Sequence, residues 1–235
     1  MARRVVLIKH EDGPADDRAA AWLAEQGFQL DWRAPYAGDT LEAPDGSVAG
    51  TVLYGGPQGV PDIDRLPFLA EEARWVERCL GRDIPVLGLC LGGQILAHAL
   101  GAEVGPGPEG LHEFGYYPLF PTEAGRALVP EGLVVAQAHF HAFDLPEGAV
   151  LLARSELYPH QAFRYDGNAF GFQFHPEITV AGFRRWQDAH WAPWDEPGVQ
   201  PHAEQDAAAA RHDPAQHAWF VGFLESLFGR PEDEG

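Results

Sequence analysis

Val5-Val6-Leu7-Ile8 is an unbroken apolar run, the pattern of a strand covered on both faces. Residues 15–26 continue with helical spacing and stop at Gly27, a residue suited to a helix end. Phe28 to Trp32 reads as a second strand. Thr51-Val52-Leu53-Tyr54 reads as a third and runs into Gly55-Gly56-Pro57. Residues 66–80 set Leu69, Ala73, Val76 and Leu80 at helical intervals. Pro85 to Leu89 predicts a fourth strand, and Gly92 to Leu100 a helix closed by Gly101. This alternation predicts an α/β fold, a central and mostly parallel sheet with helices on both faces.

The rhythm changes in the second half. Short segments at 114–120, 133–136, 150–153, 161–165 and 169–174 predict further strands, some antiparallel. A helix is expected from about Ile178. Residues 191–212, rich in Pro, Ala, His and acidic side chains, read as a loop excursion. A last helix, Pro214 to Phe228, precedes a polar tail at 230–235. No internal repeat or linker interrupts the chain, so one domain is expected over residues 1–235, and 46% hydrophobic content suffices for its core.

Charge narrows the partners. Asp and Glu number 35 against 16 Lys and Arg, for a net charge of −19, and Lys9 is the only lysine. Such a surface argues against nucleic-acid or anionic-membrane binding. No apolar run approaches the ~20 residues that span a bilayer. The first ten residues read as a strand rather than a signal peptide. Cys79 and Cys90 make no disulfide framework. A soluble, reduced, cytoplasmic protein is the expectation.

The candidate chemistry centres on Gly88-Leu89-Cys90-Leu91-Gly92. Glycines two residues either side of a thiol, between a strand and a helix, have the spacing of a nucleophile elbow. A strained turn presents the nucleophile there, and bulkier neighbours would clash. Free N–H groups at the helix start can face an oxyanion. Cys79, beside Trp75, Val76 and Leu80, reads instead as a buried apolar residue. A thiol nucleophile needs a base within reach. His175 directly follows an apolar strand, and Glu177 lies two residues on, able to fix its tautomer. His139-Phe140-His141 can be read as a metal pair, but no third ligand follows at a fitting spacing. No metal or organic cofactor is expected.

These segments together resemble the class I (triad) glutamine amidotransferase family. Tyr54-Gly55-Gly56-Pro57 resembles its oxyanion-strand motif, Pro85 to Gln94 its nucleophile motif, and Phe172 to Glu177 its His/Glu motif. The likeness is to stand-alone, GMP synthase-like members. It implies a flavodoxin-like fold with Cys90 as nucleophile, His175 as base and acid, and Glu177 as its orienter. It further implies an oxyanion hole from the N–H groups of Gly56 and Leu91, with Gly55 and Gln94 at the substrate. The implied activity is hydrolysis of glutamine's side-chain amide through a thioester. Ammonia would pass to an acceptor or to a separate synthase subunit, since the chain carries no P-loop of its own.

One stretch departs from the pattern. The family's His-Gly-Asp loop, which meets the amino-acid end of the substrate, corresponds to His139-Phe140-His141. All three are expected substrate contacts, and Phe140 reshapes the pocket. The donor is therefore open between glutamine and another γ-glutamyl compound, the latter making the protein a γ-glutamyl hydrolase or peptidase. A non-catalytic regulatory protein on the same scaffold is a third reading.

Overall fold

A computed structural model describes residues 3–229, so the tail at 230–235 lies outside the described residues. The chain runs β1 (Arg4–Ile8), α1 (Arg18–Glu25), β2 (Gln29–Arg33), β3 (Val48–Leu53), α2 (Pro67–Leu80), β4 (Val86–Leu89) and α3 (Leu91–Ala99). It continues through β5 (Val104–Pro106), β6 (Glu113–Pro118), β7 (Phe120–Pro121), β8 (Val134–His139) and β9 (His141–Phe143). Last come β10 (Val150–Arg154), β11 (Ala162–Tyr165), β12 (Ala169–Phe172), α4 (Val180–Gln187) and α5 (His202–Phe228).

Eight of these strands form one sheet in the order β2-β1-β3-β4-β12-β11-β10-β7. β2, β1, β3, β4 and β12 are parallel. β11, β10 and β7 add on antiparallel. The period-two alternation of β1 divides its side chains between two cores. Val5 and Leu7 pack with α1 and α5, whereas Val6 and Ile8 pack with α2 and α3. Phe220, Phe223, Leu224 and Phe228 of α5 are buried in the first core, each contributing about 2 kcal/mol of apolar burial. Two ribbons lie apart from the main sheet, β5 paired with β9 and β6 with β8. β5 and β9 are too short to carry a readable pattern and were not expected.

The last helix corrects the expected excursion. Residues 191–201 are indeed loop, but 202–212 belong to α5, which runs 27 residues with Pro214 inside it. Read locally, Pro214 is a helix start, because an interior proline removes one hydrogen bond and crowds the preceding turn. Propensity and packing on both sides outweigh it. Ala207 to Ala210 are strong helix formers. Gln205 donates to the Phe114 and Gln200 carbonyls, Asp213 pairs with Arg18 at 2.6 Å, and Gln216 accepts the Ala136 N–H at 2.6 Å.

Candidate active site

Neighbouring parallel strands end at one edge of the sheet. β3 delivers Gly55-Gly56, β4 delivers Cys90, and β12 leads into His175. Carboxyl ends of parallel strands are where such sheets bind ligands. Cys90 itself has φ 51° and ψ −108°, a conformation that a non-glycine residue adopts only when its surroundings enforce it. They do so here. The Cys90 N–H donates to the Phe172 carbonyl at 2.7 Å. A Cβ on Gly92 would sit 2.1 Å from the Leu53 carbonyl oxygen, and one on Gly88 would sit 2.4 Å from the Gly92 oxygen. Strand, turn and helix therefore meet backbone to backbone, which only glycine allows.

His175 is buried, and its Nδ1 lies 2.7 Å from Glu177 Oε1. Burial disfavours a charged ring, but the negative charges of Glu177 and Cys90 outweigh it and raise the imidazole to about 10. With Nδ1 engaged by Glu177, Nε2 is the nitrogen left for the thiol. The loop that carries the pair is pinned from several sides. The His175 N–H donates to Ala136 O, the Arg18 N–H to Glu177 O, and the Arg18 guanidinium to Pro176 O. Trp186 of α4 packs its ring edge-to-face on His175 at 4.7 Å. Asp17 caps α1 and accepts from Tyr54 Oη; burial pushes its carboxyl up to about 6.

Gly55 lies against both Cys90 and His175. A Cβ there would be 2.7 Å from His175 Cε1 and 3.4 Å from Cys90 Cβ. Gly56 turns its Cα to the other side, where a Cβ would be 2.4 Å from His10 Cβ. Leu91 is the first residue of α3, so its N–H has no intrahelical acceptor. The Gly92 N–H is taken by the Tyr54 carbonyl. Gln94 is buried and donates to Gln173 Oε1 and to the His141 carbonyl, both at 3.2 Å. Gln173 Nε2 in turn lies 3.6 Å from Cys90 Sγ. Gln94 thus reaches the site through its neighbours.

His139, Phe140 and His141 divide between two ribbons. His139 ends β8 and turns inward, its Nε2 2.9 Å from Glu113 Oε2. Its Nδ1 lies 3.1 Å from the His141 carbonyl oxygen. Phe140 is 45% exposed and stacks on His112 at 4.9 Å. Its carbonyl accepts from the Gly107 N–H and from Tyr158 Oη. His141 begins β9 and reaches the loop after β3, where a Cβ on Gly59 would be 2.8 Å from its ring. Both ring nitrogens of His139 thus have partners, Glu113 and the His141 carbonyl.

Several residues of this neighbourhood were not singled out from the sequence: His10, Glu72, Glu113, Tyr158, Gln161 and Arg18. Glu113 joins His139 and Gln161 in a buried cluster. Of these only Glu113 gave a signal, a polar residue at an inward position of a strand, and that signal does not name its partners.

The description of the glutamine amidotransferase class-I family matches residues 22–184. The glutamine amidotransferase-like protein YfeJ of Salmonella typhimurium is 30% identical over 217 residues, 88% of this chain and 84% of YfeJ. A GMP synthase [glutamine-hydrolyzing] of Thermomicrobium roseum is 37% identical over 154 residues, 62% of this chain. The match spans only 26% of that enzyme, about a quarter of its length. A glutamine amidotransferase from Thermotoga maritima superposes with a TM-score of 0.85 at 30% identity, over 97% of this chain and 99% of that one.

Proposed function

From the premise that this chain belongs to the class-I glutamine amidotransferase family, we propose that it hydrolyses the side-chain amide of glutamine through a thioester on Cys90. The observation that carries the reading is His175, buried between the Cys90 thiol and the Glu177 carboxylate with its Nδ1 held at 2.7 Å. The Cys90 thiolate attacks the amide carbon, and the carbonyl electrons move onto oxygen. The N–H groups of Gly56 and Leu91 receive that oxyanion. The tetrahedral intermediate collapses, the C–N bond breaks, and His175 gives its proton to the departing ammonia. His175 then takes a proton from water, which attacks the γ-glutamyl thioester and releases glutamate. Glu177 keeps the ring in one tautomer throughout.

The ammonia goes to an acceptor, held by a separate synthase subunit. Support comes from the glutamine-hydrolysing GMP synthase relative, of which this chain spans about a quarter. A second reading keeps the thioester and changes the leaving amine. Phe140, exposed beside His141 where the family has a small residue, reshapes the donor's surroundings and favours a γ-glutamyl amide or peptide other than glutamine.

One experiment addresses both. Glutamate release is followed with glutamine and with a panel of γ-glutamyl amides, and the acyl-enzyme is trapped for mass spectrometry. The thioester should map to Cys90, and Cys90→Ala should lose at least about 10³-fold in rate. Turnover that survives in Cys90→Ala, or an adduct on Cys79, would refute the assignment.

A further inference from the structure

Behind the Gly55-Gly56 loop lies another carboxylate–imidazole pair that takes no part in the steps above. His10 follows β1, the strand beside β3, and Glu72 projects from α2. Their side chains are fully buried, and His10 Nε2 lies 2.7 Å from Glu72 Oε2. Gln58 closes the arrangement by donating from Nε2 to the His10 carbonyl at 3.1 Å.

We infer that the His10–Glu72 pair is a positioning element for the oxyanion wall, holding Gly56 so that its N–H faces the substrate carbonyl. The inference rests on the reading of Gly56 as an oxyanion donor. The first ground is contact. Gly55 is pressed on one side by His175 and Cys90, and Gly56 is pressed on the other by His10. The Gly-Gly segment is therefore clamped between the reacting pair and His10. Glycine has no side chain with which to anchor itself, so its orientation must come from what touches it. The second ground is energetic. Burying a carboxylate and an imidazole gains little, and an apolar pair of similar volume is often as stable or more so. Here His10 Nδ1 and Glu72 Oε1 are also buried with no hydrogen-bond partner among the described residues, which makes the pair more expensive still. What an apolar pair cannot supply is direction. The hydrogen bond to Glu72 holds the His10 side chain in one orientation, and Gly56 meets that side chain at its Cβ and Cγ, with Gln58 Oε1 beside them.

The role is separable from folding by comparing two electrophiles at Cys90. A chloromethyl ketone analogue of glutamine reacts through an oxyanion at its carbonyl before the sulfur–carbon bond replaces carbon–chlorine and chloride leaves. Iodoacetamide is displaced directly at carbon, with iodide leaving and no oxyanion formed. His10→Leu and Glu72→Leu should slow the ketone reaction by about tenfold to a hundredfold, the range expected for a misplaced donor. Iodoacetamide labelling should change less than about threefold. Glu72→Gln keeps the volume and one hydrogen bond and should fall between wild type and Glu72→Leu on the ketone alone. It carries the test if the leucine variants do not fold. Equal slowing with both reagents means a purely structural pair, and unchanged ketone rates mean no role in the wall; either overturns the inference. A wild-type protein inert to the ketone sinks the acyl-transfer reading as well, which distinguishes that failure from this one.

Discussion

His175 carries the pH dependence of this site. Its imidazole lies buried among Glu177, Cys90 and the ring of Trp186, and the two negative groups raise it from the usual 6.5 to about 10. A raised base binds its proton more tightly when folded. The stabilisation is full below pH ~6.5, the unfolded value, and is lost as pH rises through about 10. Glu177→Gln removes the larger of the two charges that raise the ring while preserving a hydrogen bond. We expect the His175 ring, followed by NMR, to titrate well below its wild-type value. The difference in unfolding free energy between pH 6.5 and pH 10 should shrink in that variant, measured by urea denaturation. An unmoved titration would mean that Glu177 does not set the state of the ring. Activity toward the γ-glutamyl donor should fall by ~10²-fold or more, because the tautomer is no longer fixed.

Among the elements, α5 holds the plainest conflict between local preference and tertiary demand. Pro214 sits in its interior with both flanks anchored, Gln205 to the Phe114 carbonyl and Gln216 to the Ala136 N–H. Pro214→Ala restores the missing N–H and removes the ring, so it should stabilise the protein by about 1–3 kcal/mol, seen as a higher urea midpoint with an unchanged slope. A lower midpoint would mean that the helix depends on a bend at that residue. The same helix marks what can be read without coordinates. β1, β3 and β4 were legible because strands covered on both faces leave continuous apolar runs. The elbow was legible because a backbone-to-backbone junction demands glycine at Gly88 and Gly92. The first half of α5 was hidden because its reason to be helical lies in partners such as Phe114, 91 positions away from Gln205. β5 and β9 were hidden because three residues have no period. The positions of Cys90, His175 and Glu177 were legible, being consecutive with strong strands. His10 with Glu72, 62 positions apart, and Glu113 with His139, 26 apart, were not, because only the packing of α2 on the main sheet and the pairing of β6 with β8 bring them together.

At the scale of the whole molecule, net charge sets the long-range forces. A net −19 on 235 residues means that folding draws like charges together. Raising the ionic strength from about 0.01 M to 0.15 M shortens the screening length from roughly 30 Å to 8 Å. The thermal midpoint should therefore rise over that range; a fall would show that ion pairs such as Arg4–Asp31 and Arg18–Asp213 outweigh the repulsion.

The two small ribbons have a consequence of another kind. Cys90 and His175 are held by the main sheet, whereas Phe140 joins β8 to β9 in the ribbons beside it. On the proposed function, the machinery that breaks the bond and the surface that meets the rest of the donor are therefore built on separate scaffolding. A lineage, or an engineer, could rewrite residues 140 and 141 to admit a different amine without disturbing the strained turn at Cys90. Such a protein can inherit one chemistry and change its clientele.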